Sequence, residues 1–191
     1  MEAGCTRRRG ERDARGAALV EAAIVLPLIV MITFGAVEFG IGFGQKSGLE
    51  SAGRAGARKA ATLGSDFDNA AKTQLALDTL PAVNAALSST SVPALVKVWI
   101  YKNNSGRVDP ESSCATDCVS FTPSAGDPQH FSPLTANGSF PIADVTPCGL
   151  DPDKVSVRIK GRFHFLTGLV GRGGVDLTST ATLQFEPTAN C

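Results

Sequence analysis

RGAALVEAAIVLPLIVMITFGAVEFGIGFG, residues 15–44, is the stretch that decides the fold. From Ala22 to Val37 it carries no charge, and only Pro27, Thr33 and Gly35 interrupt the apolar side chains. Apolar residues on every side, rather than along one stripe, mark a helix with apolar surroundings all round. A single helix over 17–44 is about 40 Å long, enough to cross a hydrocarbon core of about 30 Å with tilt to spare. A buried helix of a soluble core is the bland alternative, and that length counts against it. So does the basic approach formed by Arg7, Arg8, Arg9, Arg12 and Arg15, the order in which a membrane-directed segment begins. Pro27 is tolerable in such a helix because local readjustment can satisfy the carbonyl it leaves free. Glu38 is expected near one face of the bilayer, with its carboxylate reaching the headgroups.

The 191-residue chain is long enough for one domain with appendages. Its 18 basic and 18 acidic residues cancel, which removes any global electrostatic case for nucleic acid. Cations flank the apolar segment on both sides, five arginines before it and Lys46, Arg54, Arg58 and Lys59 after it, so charge does not orient it. Cysteines do. Cys114, Cys118, Cys148 and Cys191 all follow the segment, and only Cys5 precedes it. Four thiols on one side fit an oxidising compartment with two disulfides, for which three connectivities exist. The preferred one joins Cys114 to Cys118 and Cys148 to Cys191. The reading is therefore a single-pass cell-membrane protein: a basic cytoplasmic leader over 1–16, a transmembrane helix over 17–44 and an extracytoplasmic bulk.

Residues 45–63, rich in Ala and Gly, are expected to continue the helix into water. Gly40, Gly44 and Gly48 recur at four-residue intervals on one helix face, which would let another helix approach closely. The alternative is that they loosen the helix at its exit from the membrane. A second helix is expected over 65–87, capped by Ser65 or Asp66, with Phe67, Ala71, Leu75, Leu77 and Leu80 on its apolar face and Pro81 bending or ending it. The period then changes to two. Val96, Val98 and Ile100 share one strand face, opposite Lys97, Trp99 and Tyr101. A second strand alternates Val155, Val157, Ile159, Phe163 and Phe165 with Ser156, Arg158, Lys160, Arg162 and His164. A third carries Leu177, Ala181, Leu183 and Phe185. Glycines at 168, 171, 173 and 174 suit a hairpin between the last two. The expected class is thus α+β: a long N-terminal transmembrane helix, then an extracytoplasmic domain over 64–191 with a helix packed on a small antiparallel sheet. Its 103–152 stretch holds seven of the eleven prolines and reads as a loop pinned by cysteines and anchored by Phe121, Phe131 and Phe140.

Catalytic and metal chemistry is not written in this chain. Zinc on Cys114, Cys118, Cys148 and His130 or His164 lacks the short paired knuckles such sites use. His164 sits among Arg158, Lys160 and Arg162 on what reads as a solvated basic face. The GIGFG run at 40–44 has neither a preceding strand nor a lysine at phosphate-loop spacing. Asn103 and Asn137 open N-x-S tripeptides that matter only with a eukaryotic glycosylation pathway. No nucleophile elbow and no carboxylate pair stand out. The expectation is a protein that is not an enzyme, with no cofactor and no metal.

Gly16 followed by AALVE matches the processing signature of type IV prepilins: a basic leader, a glycine, then an apolar helix whose fifth mature residue is glutamate. With the proline six residues beyond Glu21, the Glu-Phe-Gly at 38–40 and SAGRAGARKAA at 51–61, the run resembles the TadE-like family, minor pilins or pseudopilins of tight-adherence (Flp) pilus systems. The resemblance covers 15–61. It implies that a prepilin peptidase acts at Gly16, that Ala17 becomes the N-terminus, and that Glu21 neutralises the new ammonium in its own or a neighbouring subunit. The implied partners are other pilins or pseudopilins, the peptidase, the pilus secretion platform and the lipid bilayer. The chain departs from many pilins in opening the helix with Ala17 and Ala18 rather than near an aromatic. Two other readings stand beside this one: an anchored extracytoplasmic binding or surface-interaction protein unrelated to pili, and a secreted soluble protein whose signal is cut near Gly44.

Overall fold

The structure, a computed structural model, describes residues 7–63, 74–103, 109–115, 117–139, 145, 148, 151–168 and 173–186, with side chains from residue 16 onward, Ser139 excepted. The chain divides into two compact units: Met1–Ile41 with Phe165–Arg172, and Gly42–His164 with Gly173–Cys191. One helix, α1 (Arg7–Leu63), supplies residues to both and takes in the basic leader as well as the apolar run. After it come α2 (Gln74–Ser88), β1 (Ala94–Lys102), β2 (Cys118–Phe121), β3 (Asn137–Ser139), β4 (Lys154–His164) and β5 (Gly174–Gln184). The expected cap of the second helix, together with Phe67 and Ala71, lies outside the described residues. Pro81 does not end α2: the helix runs through it to Ser88, with the proline ring exposed.

The second unit is built on one antiparallel sheet of order β3-β2-β1-β4-β5. β1, β4 and β5 are the three strands whose alternation is plain in the sequence. β2 and β3 come from the stretch expected to be a loop, so the sheet is wider than that reading implied. A second departure concerns Val96. The pairing of β1 with β4 slips between Leu95 and Lys97, and this bulge turns Leu95 into the core (8% exposed) and Val96 out of it (40%).

One face of the sheet forms the main core. Val98 and Ile100 of β1, Val119 and Phe121 of β2, and Val155, Val157 and Ile159 of β4 are all fully buried there. The other wall is helical. In α1, Leu49, Ala52, Ala57 and Ala60 recur at the helical period and face this core, as do Leu75, Leu80, Val83 and Leu87 of α2. Each fully buried Leu or Val contributes about 1.5–3 kcal/mol. Small residues on α1 let the three layers close. A Cβ on Gly56 would stand 2.5 Å from Val83 Cγ2 and 3.3 Å from Val157 Cγ1. Phe131 anchors the loop region as expected, 2% exposed, and α2 holds its backbone: Asn84 Nδ2 donates to the Phe131 carbonyl at 3.0 Å while the Phe131 N–H donates to Asn84 Oδ1 at 3.0 Å. Phe140 lies outside the described residues.

The opposite face is covered too. Trp99, Tyr101 and Cys118 form a small buried cluster, and Cys114, disulfide-bonded to Cys118 (S–S 2.06 Å), packs against it. Beyond it runs a ladder of charges. Arg158 meets Asp109 at 2.6 Å and Glu111 at 3.0 Å, Lys160 meets Glu111 at 3.0 Å and Asp176 at 3.3 Å, and Arg162 meets Asp176 at 2.8 Å. The strand expected to present a free basic face is therefore largely neutralised, by acids from residues 109–111 and from β5. The Arg162 hydrogen bond, followed by that of Lys160, holds the Asp176 carboxyl below the usual carboxylate range; bonds to Glu111 and then Asp176 hold Lys160 above its ordinary value.

Two outcomes follow for unfolding of the full chain in detergent. Gly56→Val should lower stability by about 1–3 kcal/mol despite its better helix propensity, because the stiff Val83 side chain blocks the new methyls; an unchanged urea midpoint would show that the layers are not closed there. The Asp176 contribution is present above the unfolded aspartate value of about 3.9 and is lost as pH falls through the lower folded value. Lys160 behaves oppositely, its contribution present below about 10.4 and lost as pH rises through its raised folded value. The stability difference between the native chain and Asp176→Asn should accordingly be level through neutral pH and shrink in acid, measured as urea midpoints across the pH range.

Candidate functional site

In the first unit the apolar run of α1 keeps its side chains outward on every side: Leu19, Ile24, Leu26 and Ile32 are all more than 60% exposed. From Gly16 onward α1 is long and apolar enough to cross a membrane, and none of its most apolar window is buried by the rest of the chain. Pro27 sits within the helix without ending it. Thr33, the one hydroxyl in the uncharged run, donates to the Ile29 carbonyl at 2.8 Å, so it presents no unsatisfied donor to an apolar medium.

Gly16, Ala17 and Glu21 all lie on α1 and are exposed. Among the described residues nothing stands within 4 Å of the position a Cβ would take on Gly16. Glycine inside a helix costs about 0.5–1 kcal/mol relative to alanine, and no contact among the described residues calls for it here. Glu21 is four residues beyond Ala17, one turn along the same helix face.

The glycine series at 40, 44 and 48 divides. Gly40 and Gly44 are exposed, with open space where a Cβ would be. Gly48 is buried by its own chain: a Cβ there would come within 2.9 Å of Thr90 Oγ1 and 3.0 Å of the Ser91 carbonyl. Gly48 therefore does not share the open surroundings of Gly40 and Gly44, because it serves the passage from α2 to β1.

Glu38 is the residue local sequence reasoning misplaced. It is 2% exposed, and its Oε1 accepts the Thr167 N–H at 2.6 Å and the Thr167 hydroxyl at 2.8 Å. The carboxylate goes to the turn between β4 and β5, 129 residues away in the chain, and not to headgroups. Its Oε2 has no hydrogen-bond partner among the described residues.

Of the cysteines, Cys114 and Cys118 are joined, which also removes both as thiolate ligands for zinc; the second expected pairing involves Cys191, outside the described residues. Among the described residues no cluster of His, Cys, Asp and Glu has the arrangement to hold a metal ion. His164 is exposed on β4, and His130 Nδ1 is 2.5 Å from Asp127 Oδ2.

Residues 16–58 match the family model described as TadE-like protein, the family that the prepilin-like run resembles. The match begins at Gly16, covers the whole apolar run and ends within α1. No curated protein and no solved structure matches the chain.

Removing the Glu38 carboxylate should free the turn it holds. In Glu38→Ala, hydrogen exchange at the Thr167 amide is expected to accelerate by about tenfold or more, the loss of a hydrogen bond to a charged group; unchanged exchange would mean the amide is protected by something else.

Proposed function

We propose that the chain is a membrane-anchored, non-enzymatic subunit of tight-adherence (Flp) pilus assembly, a minor pilin or pseudopilin. In this reading residues 1–16 are a cytoplasmic leader, 17–44 cross the cell membrane, 45–63 extend the helix and 64–191 form an extracytoplasmic domain. The observation that carries it is the TadE-like match over 16–58, coincident with a helix that is apolar on all sides. The Cys114–Cys118 disulfide in the second unit supports an oxidising outer compartment.

The chemistry at the start of α1 then has a definite order. A prepilin peptidase hydrolyses the Gly16–Ala17 bond, leaving a carboxylate on Gly16 and an ammonium on Ala17. The open space around Gly16 supports this, since the need for glycine comes from no neighbour among the described residues. Cleavage makes Ala17 the start of a helix, where the macrodipole carries about half a positive charge, and leaves Glu21 beside the first turn. A lone carboxylate in hydrocarbon costs some kilocalories per mole, so Glu21 seeks that ammonium, on its own chain or on an adjacent subunit. Before cleavage it has no such partner. Gly40 and Gly44, which nothing among the described residues fills, are where another pilin helix can approach closely. The secretion platform and the bilayer complete the set of partners.

Co-expression with a prepilin peptidase tests this directly. The mature protein should begin Ala17-Ala18-Leu19-Val20-Glu21, and Glu21→Gln should leave cleavage intact while lowering incorporation into sheared pilus fractions. A product that keeps Arg15 and Gly16 would overturn the processing step, and full incorporation of the Gln variant would overturn the role of the charge.

A further inference from the structure

β5 ends the sheet among the described residues, and no strand there pairs with its outer edge. It is eleven residues long, without proline or lysine, whereas the opposite edge strand, β3, has three residues. Long edges without such devices are templates for pairing with another strand, and proteins normally blunt them. Here the edge is instead accompanied by charge.

Within the second unit α1 runs lengthwise along β5. A Cβ on Gly42 would stand 3.7 Å from the ring of Phe163, whose strand partner is Val175; a Cβ on Gly53 would stand 3.6 Å from both Ala181 Cβ and Ser179 Oγ; and the Ala61 carbonyl accepts the Glu186 N–H at 3.2 Å. A groove of about 540 Å³ follows this line, with Lys46, Glu50, Arg54 and Arg58 on its helical wall and residues 178–183 on its strand wall. Three cations face one acid. Glu50 pairs only loosely with Arg54, at 3.7 Å with the arginine side chain 70% exposed, while Lys46 and Arg58 have no ion pair among the described residues. The spacing fits a strand: Arg54 and Arg58 are about 6 Å apart along the helix, close to the about 6.8 Å between alternate residues of an extended chain.

We propose that this groove binds an extended acidic segment of a partner protein, which adds to the sheet on the free edge of β5 with carboxylates at alternate positions facing Lys46, Arg54 and Arg58. Main-chain hydrogen bonds to β5 give the segment its direction and register, and the cations select its charge. Ala181 and Leu183 offer the added strand an apolar floor. The surface lies wholly in the second unit and does not depend on whether the leader is cleaved.

The test uses the full chain in a neutral detergent and a fluorescent ten-residue Thr-Glu repeat, capped at both ends. Saturable binding is expected, together with slowed amide exchange in residues 178–183; a Thr-Lys repeat should not bind. Arg54→Glu with Arg58→Glu should weaken binding by about tenfold or more. Two further peptides separate strand addition from simple charge attraction, one N-methylated at every Glu and the other at every Thr. Only one of these faces β5 with its methylated amides, so one should lose binding and the other keep it. Equal binding of both, no protection in β5, or unaltered binding by the double variant would each overturn the proposal. Displacement of the peptide by anionic phospholipid without any protection of β5 would do so as well, and would make the groove a lipid site. Should the double variant fold poorly, the methylated pair decides on the native chain.

Discussion

Because α1 runs unbroken from Arg7 to Leu63, a single 3.6-residue repeat has to satisfy two kinds of surroundings. Over its apolar run the residues are alike on all sides, and no face is reserved for the rest of the chain. From Lys46 to Ala61 the same helix becomes one-sided, with Leu49, Ala52, Ala57 and Ala60 turned to the core and Lys46, Glu50, Arg54 and Arg58 turned away. The second unit is folded onto a helix that it does not terminate. Its core residues on α1 are nearly all alanine or glycine, so the apolar mass that closes the core comes from α2 and the sheet. Close approach, rather than side-chain bulk, is what α1 contributes there, which is why Gly56 meets Val83 and Val157 directly.

The sheet has a similar division of labour across its two faces. One face is packed by helices. The other is closed by the disulfide at Cys114 and Cys118 and by the acids at 109 and 111, which answer the cations of β4. Lys97 and Lys160 are directly opposite one another in the β1–β4 pairing, a destabilising arrangement left to itself. Glu111 and Asp176 beside Lys160 offset it. The proline-rich stretch thus lends two strands to the sheet, and a disulfide and two carboxylates to the face that carries no helix.

What could be read from the sequence was whatever repeats locally. The apolar run, its continuation to residue 63, and the alternation in β1, β4 and β5 follow from side-chain period alone, as does the pairing of the last two through a glycine-rich turn. β2 escaped because its residues Cys118–Phe121 are buried on both faces and show no alternation, and β3 because Asn-Gly-Ser is turn chemistry until a neighbouring strand supplies partners. Val96 was assigned to the wrong face because a bulge changes parity without changing composition. Contacts between distant residues leave no local trace at all: Glu38 reaches Thr167 across 129 positions, and Arg158 reaches Asp109 across 49. Gly48 looked like part of a series with Gly40 and Gly44 because spacing cannot tell which chain fills the space above a glycine.

Trp99 is the chain's one tryptophan, and its position gives the molecule a partial optical readout. Its ring lies under Lys97, 5.6 Å from the ammonium to the ring centre, in the cluster against which the disulfide packs. Indole emission responds to what surrounds the ring, so intrinsic fluorescence reports first on this covered face of the sheet, where Cys118 and Tyr101 share its cluster. A melting trace recorded by emission therefore watches the sheet at Trp99, and circular dichroism is the signal that follows α1.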